Sequence, residues 1–204
     1  MRPIWKGSIS FGLVNVPIAI YSAEERVDLQ LHMVDSRDMA RVRYERVNAE
    51  TGEEVPWNEI AKAFEYDDGN YVVLDKEELK EAAPEASQTV EIESFVDMAE
   101  IDPIYFDKPY YLEPGKKGDK GYALLREALR ESGKAGIARV VIRTRQYIGA
   151  MVPRGDVLVL NLLRYPQEVR PTEELDLPGD LDEAGVNKKE LKMARDLIDS
   201  MTEA

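Results

Sequence analysis

Clustered arginine and lysine side chains are the candidate functional residues of this sequence, because they can bind phosphate. Four of them stand within ten residues: Arg37, Arg41, Arg43 and Arg46. Seven others occur elsewhere, with the last three at odd positions of a strand-like stretch: Lys6, Lys116, Lys117, Lys120, Arg139, Arg143 and Arg145. Arginine and lysine contacts limited to phosphate carry no sequence information. These side chains favour sequence-independent binding of nucleic acid, although each group taken alone also fits ordinary ion-pair partners on a solvated surface.

The formal net charge of -13 is distributed unevenly along the chain. Residues 1–46 carry +1 and residues 114–165 carry +7, whereas residues 47–113 carry -15 and residues 166–204 carry -6. An acidic total opposes non-specific affinity for DNA, because that affinity comes largely from lysine and arginine neutralising phosphates. Segregated charge can still build a local positive field. The composition therefore fits a local basic surface, and it also fits acidic residues that only keep the surface hydrated.

Few side chains in this sequence are suited to catalysis. There is no cysteine, and the single histidine, His32, has no nucleophile with an orienting acid near it, so we interpret it as structural. Neither the Walker-type phosphate loop nor the dinucleotide fingerprint occurs. A magnesium-dependent nuclease is an alternative, but the acids alternate with apolar residues as on a solvated face. We predict no catalytic residue, metal site or cofactor, and interpret Lys6 as a phosphate contact rather than an amine nucleophile.

The composition also limits the class of protein. An apolar fraction of 44% is that of a globular chain. No apolar run approaches the roughly 18 residues of a membrane span, and no continuous apolar leader follows the N-terminal charges. We therefore predict a cytoplasmic protein with no membrane partner.

Alternation of apolar and polar residues predicts a mainly β fold. In "IWKGSISFGLVNVPIAIYS" the face shared by Trp5, Ile9, Phe11 and Leu13 is apolar, whereas Lys6 lies on the other, small and polar face. About seven to nine strands, two good helices and no βαβ alternation predict a mainly antiparallel barrel with one packed helix and appendages. The sparse alternation of "DLQLHMVD" and "RVRYERV" predicts strands of an extended arm rather than central strands.

Helix-capping residues predict where the helices begin and end. Asp75 is the predicted cap of a short acidic helix, "DKEELKEAA". The packed helix, "GDKGYALLREALRESGK", is predicted to be capped by Asp119 and to end at Gly133. A last amphipathic helix follows Asn187 as its cap. We predict a barrel core over residues 1–165 and a linker with a C-terminal amphipathic helix over residues 166–204.

Several long motifs resemble the bacterial form of Ku, the DNA-end-binding protein of non-homologous end joining. They are "MRPIWKGSISFGLVNVPIAIYSA", "DPIYFDKPYYLEP", "YALLREAL", "GIARVVIRTR" and "ELKMARDLIDSM". The resemblance runs essentially from end to end. It implies a Ku-type β-barrel with an extended bridging arm over about residues 37–75, one packed helix and a C-terminal helix.

The resemblance also implies a function and partners. It implies a homodimeric ring that threads double-stranded DNA ends, recruits an ATP-dependent DNA ligase and works in the nucleoid without being an enzyme. Positive charge inside such a ring and negative charge outside would favour threading. The "RTR" stretch is expected to face the duplex. The alternatives are a dimeric adaptor that binds no DNA, in which the arm grips a protein, and the magnesium-dependent nuclease.

The sequence departs from the family pattern in two places. Many relatives carry Cys-x-x-Cys at the turn after "RVRYERV", where this chain has Asn48 and Thr51, so a metal or thiol role is not expected there. Relatives also continue beyond "LIDSM" into further helix and often a lysine-rich tail. Functions attributed to that tail, such as ligase stimulation and end bridging, are not expected from the present sequence.

Overall fold

The computed structural model describes residues 1–25, 27, 29, 31–75, 77–78, 87–181 and 183–203. The chain divides into two compact units, Met1–Pro166 and Gln167–Ala204. The first unit contains the β strands and one long helix, and the second contains short 3-10 turns and one helix.

The first unit is built on a closed β-barrel. Its strands, within the described residues, are β1 (Trp5–Phe11), β2 (Val14–Ser22), β3 (Lys62–Asp67), β4 (Asn70–Leu74), β5 (Thr89–Asp97), β6 (Phe106–Pro114), β7 (Lys134–Ile142), β8 (Arg145–Arg154) and β9 (Val157–Leu163). Seven of them close in the order β1-β2-β6-β9-β8-β7-β5, while β3 and β4 form a separate hairpin. All barrel neighbours are antiparallel except β1 and β5. With the helix α1 (Asp119–Ser132) packed on it, this confirms the predicted mainly antiparallel barrel.

Alternation places the barrel core, and the first predicted strand is in fact two strands. Ile9 on β1 and Ile20 on β2 are completely buried, and each such side chain contributes roughly 1.5–3 kcal/mol by leaving water. The prediction that Leu13 shares this inner face is wrong, because the chain turns at Gly12, with φ 55°, and Leu13 is fully exposed. A two-residue turn changes the parity of the inward residues from odd in β1 to even in β2.

The helix α1 starts differently from the prediction and ends as predicted. Asp119 is its first residue rather than its cap; Gly118 stands at the cap position and supplies no side-chain bond. A Cβ on Gly118 would lie 2.7 Å from the carbonyl oxygen of Pro17, so this position requires glycine. The Asp119 carboxylate still favours the positive end of the helix dipole. The predicted end at Gly133 is confirmed, with φ 65°.

Tyr122 bonds α1 to the barrel wall. Its hydroxyl donates to the carbonyl of Leu112 in β6 and accepts from the amide of Leu158 in β9, both at 2.7 Å. Leu112 and Leu158 are register partners, so the hydroxyl completes the end of their ladder. Burial raises the pKa of the Tyr122 hydroxyl. The side chain therefore replaces a backbone partner that neither strand supplies.

Replacement of this hydroxyl is expected to destabilise the barrel. Tyr122→Phe should lower the free energy of unfolding by about 1–3 kcal/mol, because a buried amide and a buried carbonyl lose their partner. Urea denaturation measures the loss. Tyr111→Phe is the matched control, since no hydrogen bond of that hydroxyl to the described part of the chain is present, and it should change stability by less than about 0.5 kcal/mol. Equal losses in the two variants would contradict the bridging role of Tyr122.

The second unit contains the helix α2 (Lys188–Met201). The side chain of Asn187 accepts from the amides of Lys189 and Glu190 at 3.0 Å, and the Glu190 carboxylate accepts from the Asn187 amide at 2.9 Å. This reciprocal capping box confirms the predicted Asn187 cap. Among the described residues, no helix is long and apolar enough to cross a membrane.

The predicted helix "DKEELKEAA" lies largely outside the described residues. Its start is described: Asp75 Oδ1 accepts from the amides of Glu77 and Glu78, both at 2.8 Å. The Asp75 cap is therefore confirmed.

Candidate nucleic-acid interface

The predicted common face of Arg139, Arg143 and Arg145 is wrong. Ile142 and Arg145 are cross-strand partners on either side of a two-residue turn that begins at Arg143, with φ 61°. A two-residue hairpin turn needs this left-handed conformation. The turn reverses parity, so Arg139 points to the outer face while Arg145 has the parity of the buried Ile142. The three arginines therefore point in different directions.

The apolar residues around this turn carry only a partial signal of its position. Val140 and Ile142, at even positions, are buried before the turn and Met151, at an odd position, is buried after it, but Val141 and Ala150 of the opposite parities are buried as well. The turn between β1 and β2 shows a clean change of parity. Apolar parity therefore locates that first turn but not the turn at Arg143.

Lys6 and Arg139 lie on the same outer face of the barrel. Because Ile9 points into the core, the even-numbered side chains of β1 point outward. Ser10 of β1 pairs with Glu91 of β5, and Glu91 pairs with Arg139 of β7, so these residues form a row of three strands about 10 Å wide. Small side chains on β1 leave this face open to the close approach of a phosphate backbone.

Arg139 already has a partner on this face, and sequence reasoning did not identify it. Its Nη2 donates to Oε1 of Glu93 in an ion pair. The register pairs Ile92 and Ser94 with consecutive residues of β7, which leaves Glu93 without a cross-strand partner in a β-bulge. Strand alternation carries no clear signal for a bulge, so Glu93 could be found only in the folded barrel.

Arg143 lies among charged and phenolic groups at one end of the barrel. Burial raises the pKa of Tyr110; Tyr147, Glu24 and Asp107 raise it further, and the charge of Arg143 opposes them. Arg143 and Arg145 are both exposed at this end. Their guanidinium groups are therefore accessible to a ligand that contacts the barrel end.

The predicted lysine group lies at the other end of the barrel. Lys116, Lys117 and Lys120 are exposed around the start of α1, after β6 has crossed the barrel wall. The nine residues of β6 separate them from the Arg143 end by roughly 25 Å. The fold therefore does not bring these lysines together with the arginine turn, and a contact from them would be a separate one.

The predicted strands of the arm are wrong in the residues described between β2 and β3. Instead of ladders there are two isolated bridges, Val34 with Arg41 and Val47 with Glu54. A strand needs a hydrogen-bonding neighbour along its length, and the folded-back arm offers one only at single residue pairs. β3 and β4 form a hairpin around Asp68 and Gly69, with every residue of β3 exposed.

Of the four arginines of the arm, two interact with another side chain, and two have no ion pair or side-chain hydrogen bond within the described residues. Arg37 makes a forked ion pair with Asp35, at 2.9 Å from Nε to Oδ1 and 2.6 Å from Nη2 to Oδ2, which lowers the pKa of the Asp35 carboxyl. The Arg46 guanidinium lies 4.3 Å from the ring centroid of Trp57. Within the described ranges, Arg41 and Arg43 have neither an ion pair nor a side-chain hydrogen bond.

The turn after "RVRYERV" is held by hydrogen bonds. Asn48 Oδ1 accepts from the amides of Glu50 and Thr51 at 2.8 and 3.2 Å, and the Asn48 carbonyl accepts from Gly52 at 2.9 Å. Across the described chain, no group of three or more histidine, cysteine or acidic side chains could hold a metal ion. Asn48 thus closes the turn with its own side chain and carbonyl.

Large apolar side chains of the arm are exposed. Six of them are at least 60% exposed: Met39, Tyr44, Trp57, Phe64, Tyr66 and Tyr71. Soluble proteins rarely expose apolar groups in such density without a function for them. The arm therefore presents two surfaces, one with unpaired arginines and one with uncovered apolar side chains.

Comparison with known proteins gives consistent matches along the whole chain. A family model described as the Ku70/Ku80 beta-barrel domain matches residues 10–193. The Non-homologous end joining protein Ku of Coxiella burnetii is 55% identical over 201 residues, which cover 98% of this chain and 73% of that protein. The proteins of the same name from Opitutus terrae and Bacillus subtilis are 47% and 44% identical, over 72% and 65% of their lengths.

Proposed function

The chain belongs to the Ku family, and from this premise we propose that it binds the ends of double-stranded DNA without sequence specificity in non-homologous end joining. The relatives are named as proteins of non-homologous end joining. The observation that carries the proposal on this chain is the pair of arm arginines, Arg41 and Arg43, which have neither an ion pair nor a side-chain hydrogen bond among the described residues. Guanidinium groups without an acidic partner are available for bidentate contacts with phosphate oxygens.

The proposed binding surface combines the arm with the outer face of the barrel. Arg41 and Arg43 supply phosphate contacts from the arm, and Lys6, Arg139 and the Arg143 turn supply them from the barrel. Such contacts position a duplex without reading its bases. This suits a protein that must accept any broken end. The exposed lysines around the start of α1 are proposed as an outlying contact.

The protein is proposed to act as a homodimeric ring. The arm has uncovered apolar side chains, and its described residues between β2 and β3 make only isolated bridges, so a second copy related by a two-fold axis is the partner that would bury it. Two crossing arms would close a ring over two barrels. The apolar density of the arm supports this assembly, because obligate interfaces of this kind bury large apolar areas.

The mass in solution tests this assembly. One chain has a mass of 23.2 kDa, and light scattering is expected to give about twice that value at all practical concentrations. The same value should persist at high salt, because the arm contacts are apolar rather than ionic. A monomer that does not change with concentration would overturn the ring.

Competition between DNA forms tests the end-binding proposal. A labelled linear duplex bound to the protein should be displaced well by unlabelled linear duplex and poorly by a covalently closed circle of the same sequence. Threading requires an end, and lateral contacts are disfavoured by the acidic remainder of the surface. Equal competition by the two forms would rule threading out. Degradation of the linear duplex on addition of Mg²⁺ would instead support the nuclease alternative.

The protein is proposed to work without catalysis and to recruit an ATP-dependent DNA ligase. The ligase proposal rests on the role in end joining, in which strand sealing needs a separate enzyme when the end-binding protein has no nucleophile of its own. Lys6 is exposed on the outer face and is proposed as a phosphate contact. Borohydride trapping of the protein on abasic DNA, lost in Lys6→Ala, would overturn the non-catalytic assignment.

A further inference from the structure

We infer that Glu93 is a built-in competitor of DNA phosphate: its carboxylate occupies Arg139 in the DNA-free protein and must be displaced before Arg139 can contact the duplex. The inference rests on the proposed function, since it concerns the outer barrel face that would meet DNA. It assigns a role to an acidic residue that a DNA-binding surface would otherwise exclude, because carboxylates there repel phosphate.

The fold of β5 positions Glu93 for this role. The bulge leaves Glu93 on the outer face, while the shifted register returns Phe95 to the face of Ile92, where its side chain is partly exposed. The Phe95 ring packs edge-on against Phe11, with ring centroids 6.4 Å apart. The Phe95 ring is also in van der Waals range of Gly136 of β7, where a Cβ would lie 3.4 Å from it. These contacts on the other face fix the register on both sides of the bulge, and with it the position of the carboxylate beside Arg139.

The Arg139–Glu93 ion pair forms in the DNA-free protein but is weak enough for a phosphate to replace the carboxylate. The Arg139 and Glu93 side chains are 47% and 43% exposed, so water and salt screen their attraction. A duplex brings a high density of negative charge to the same guanidinium. A phosphate can therefore take the place of the carboxylate, and the displaced Glu93 then lies next to DNA as a repulsive charge. The loss of the ion pair and the repulsion by Glu93 both lower the affinity for DNA and raise its dissociation rate.

Removal of the carboxylate should strengthen binding by a measurable amount. Glu93→Gln keeps the size of the side chain and removes its charge. From the usual strength of exposed ion pairs, present twice in a dimer, the affinity for linear duplex should rise roughly 2- to 30-fold. Arg139 contacts phosphate in both proteins, so the slope of log K against log salt should change little.

Glu91→Gln provides the matched control. Glu91 is on the same strand and face, opposite Arg139 in the register, but its carboxylate makes no ion pair with that arginine in the described part of the chain. It therefore reports the general effect of removing one negative charge. The gain in affinity of Glu93→Gln beyond that of Glu91→Gln measures the competition for Arg139.

The experiment measures the affinity of the full chain for a short linear duplex at several salt concentrations, with thermal unfolding as the check on folding. We expect Glu93→Gln to bind more tightly than Glu91→Gln, and this excess to disappear when both changes are made in an Arg139→Ala background. Equal affinities of the two variants, or an excess that persists without Arg139, would overturn the inference. Wild-type protein that fails to retain linear duplex at all would instead refute the proposed function.

Discussion

Arg41→Glu combined with Arg43→Glu is expected to abolish measurable binding of DNA ends while leaving the barrel folded. A dimer would lose four guanidinium groups and gain four carboxylates in the arms that close the ring. Hydrogen bonds to charged groups contribute about 1.5–3 kcal/mol each, so the loss should reach roughly 10³-fold or more. Electrophoretic mobility shift with a linear duplex measures it. Stability should change little, because both side chains are exposed and unengaged.

The control for this variant reproduces its charge change elsewhere. Lys188→Glu with Lys189→Glu alters the net charge by the same amount at the start of α2, where acidic residues favour the helix dipole. This control should bind DNA with a much smaller loss of affinity. If the arm variant retains wild-type affinity for DNA but loses a protein complex, the adaptor function replaces end binding.

Salt is expected to weaken end binding steeply. If the dimer neutralises 6 to 10 phosphates, log K should fall against log salt with a slope of roughly -5 to -9, and affinity should drop about 10³- to 10⁵-fold between 50 and 200 mM salt. The net charge of -13 does not prevent this, because a phosphate contact depends on the local potential at each basic side chain rather than on the total charge. Fluorescence anisotropy of a labelled duplex measures the slope.

The arm variant supplies the internal check on the salt dependence. Without Arg41 and Arg43, whatever binding remains should show a slope flatter by roughly 3 to 4, since about four phosphate contacts per dimer are removed. A slope near zero for the wild-type protein would show that binding does not depend on phosphate contacts. It would contradict the assigned surface even if linear duplex is retained.

Much of the fold follows from local pattern. The burial of Ile9, the end of α1 at Gly133 and the caps at Asn187 and Asp75 are all predictable from the sequence. Each depends on side chains within a few residues of one another. The misplaced elements, Leu13 and the turn at Arg143, share one cause: a two-residue turn was interpreted as continuous strand. The parity change that marks the first of these turns is present in the sequence, whereas buried residues of both parities flank the turn at Arg143.

The strands predicted for the arm could not be judged locally. A strand forms only with a neighbour, and whether "RVRYERV" has one is decided by the path of the chain. In this fold that path provides single bridges at Arg41 and Val47. Local propensity therefore predicted strands that no pairing partner supports.

The sequence by itself determined which residues carry charge, that a barrel encloses one core, and to which family the chain belongs. Which basic side chains already have a partner depends on the tertiary structure. Arg37 bonds to Asp35, two residues away, but Arg46 meets Trp57 and Arg139 meets Glu93 only because the chain folds back or the strands pair. The availability of a guanidinium group for phosphate depends on whether another group already occupies it. That depends on distances of a few ångströms between residues far apart in sequence, which composition and spacing do not contain.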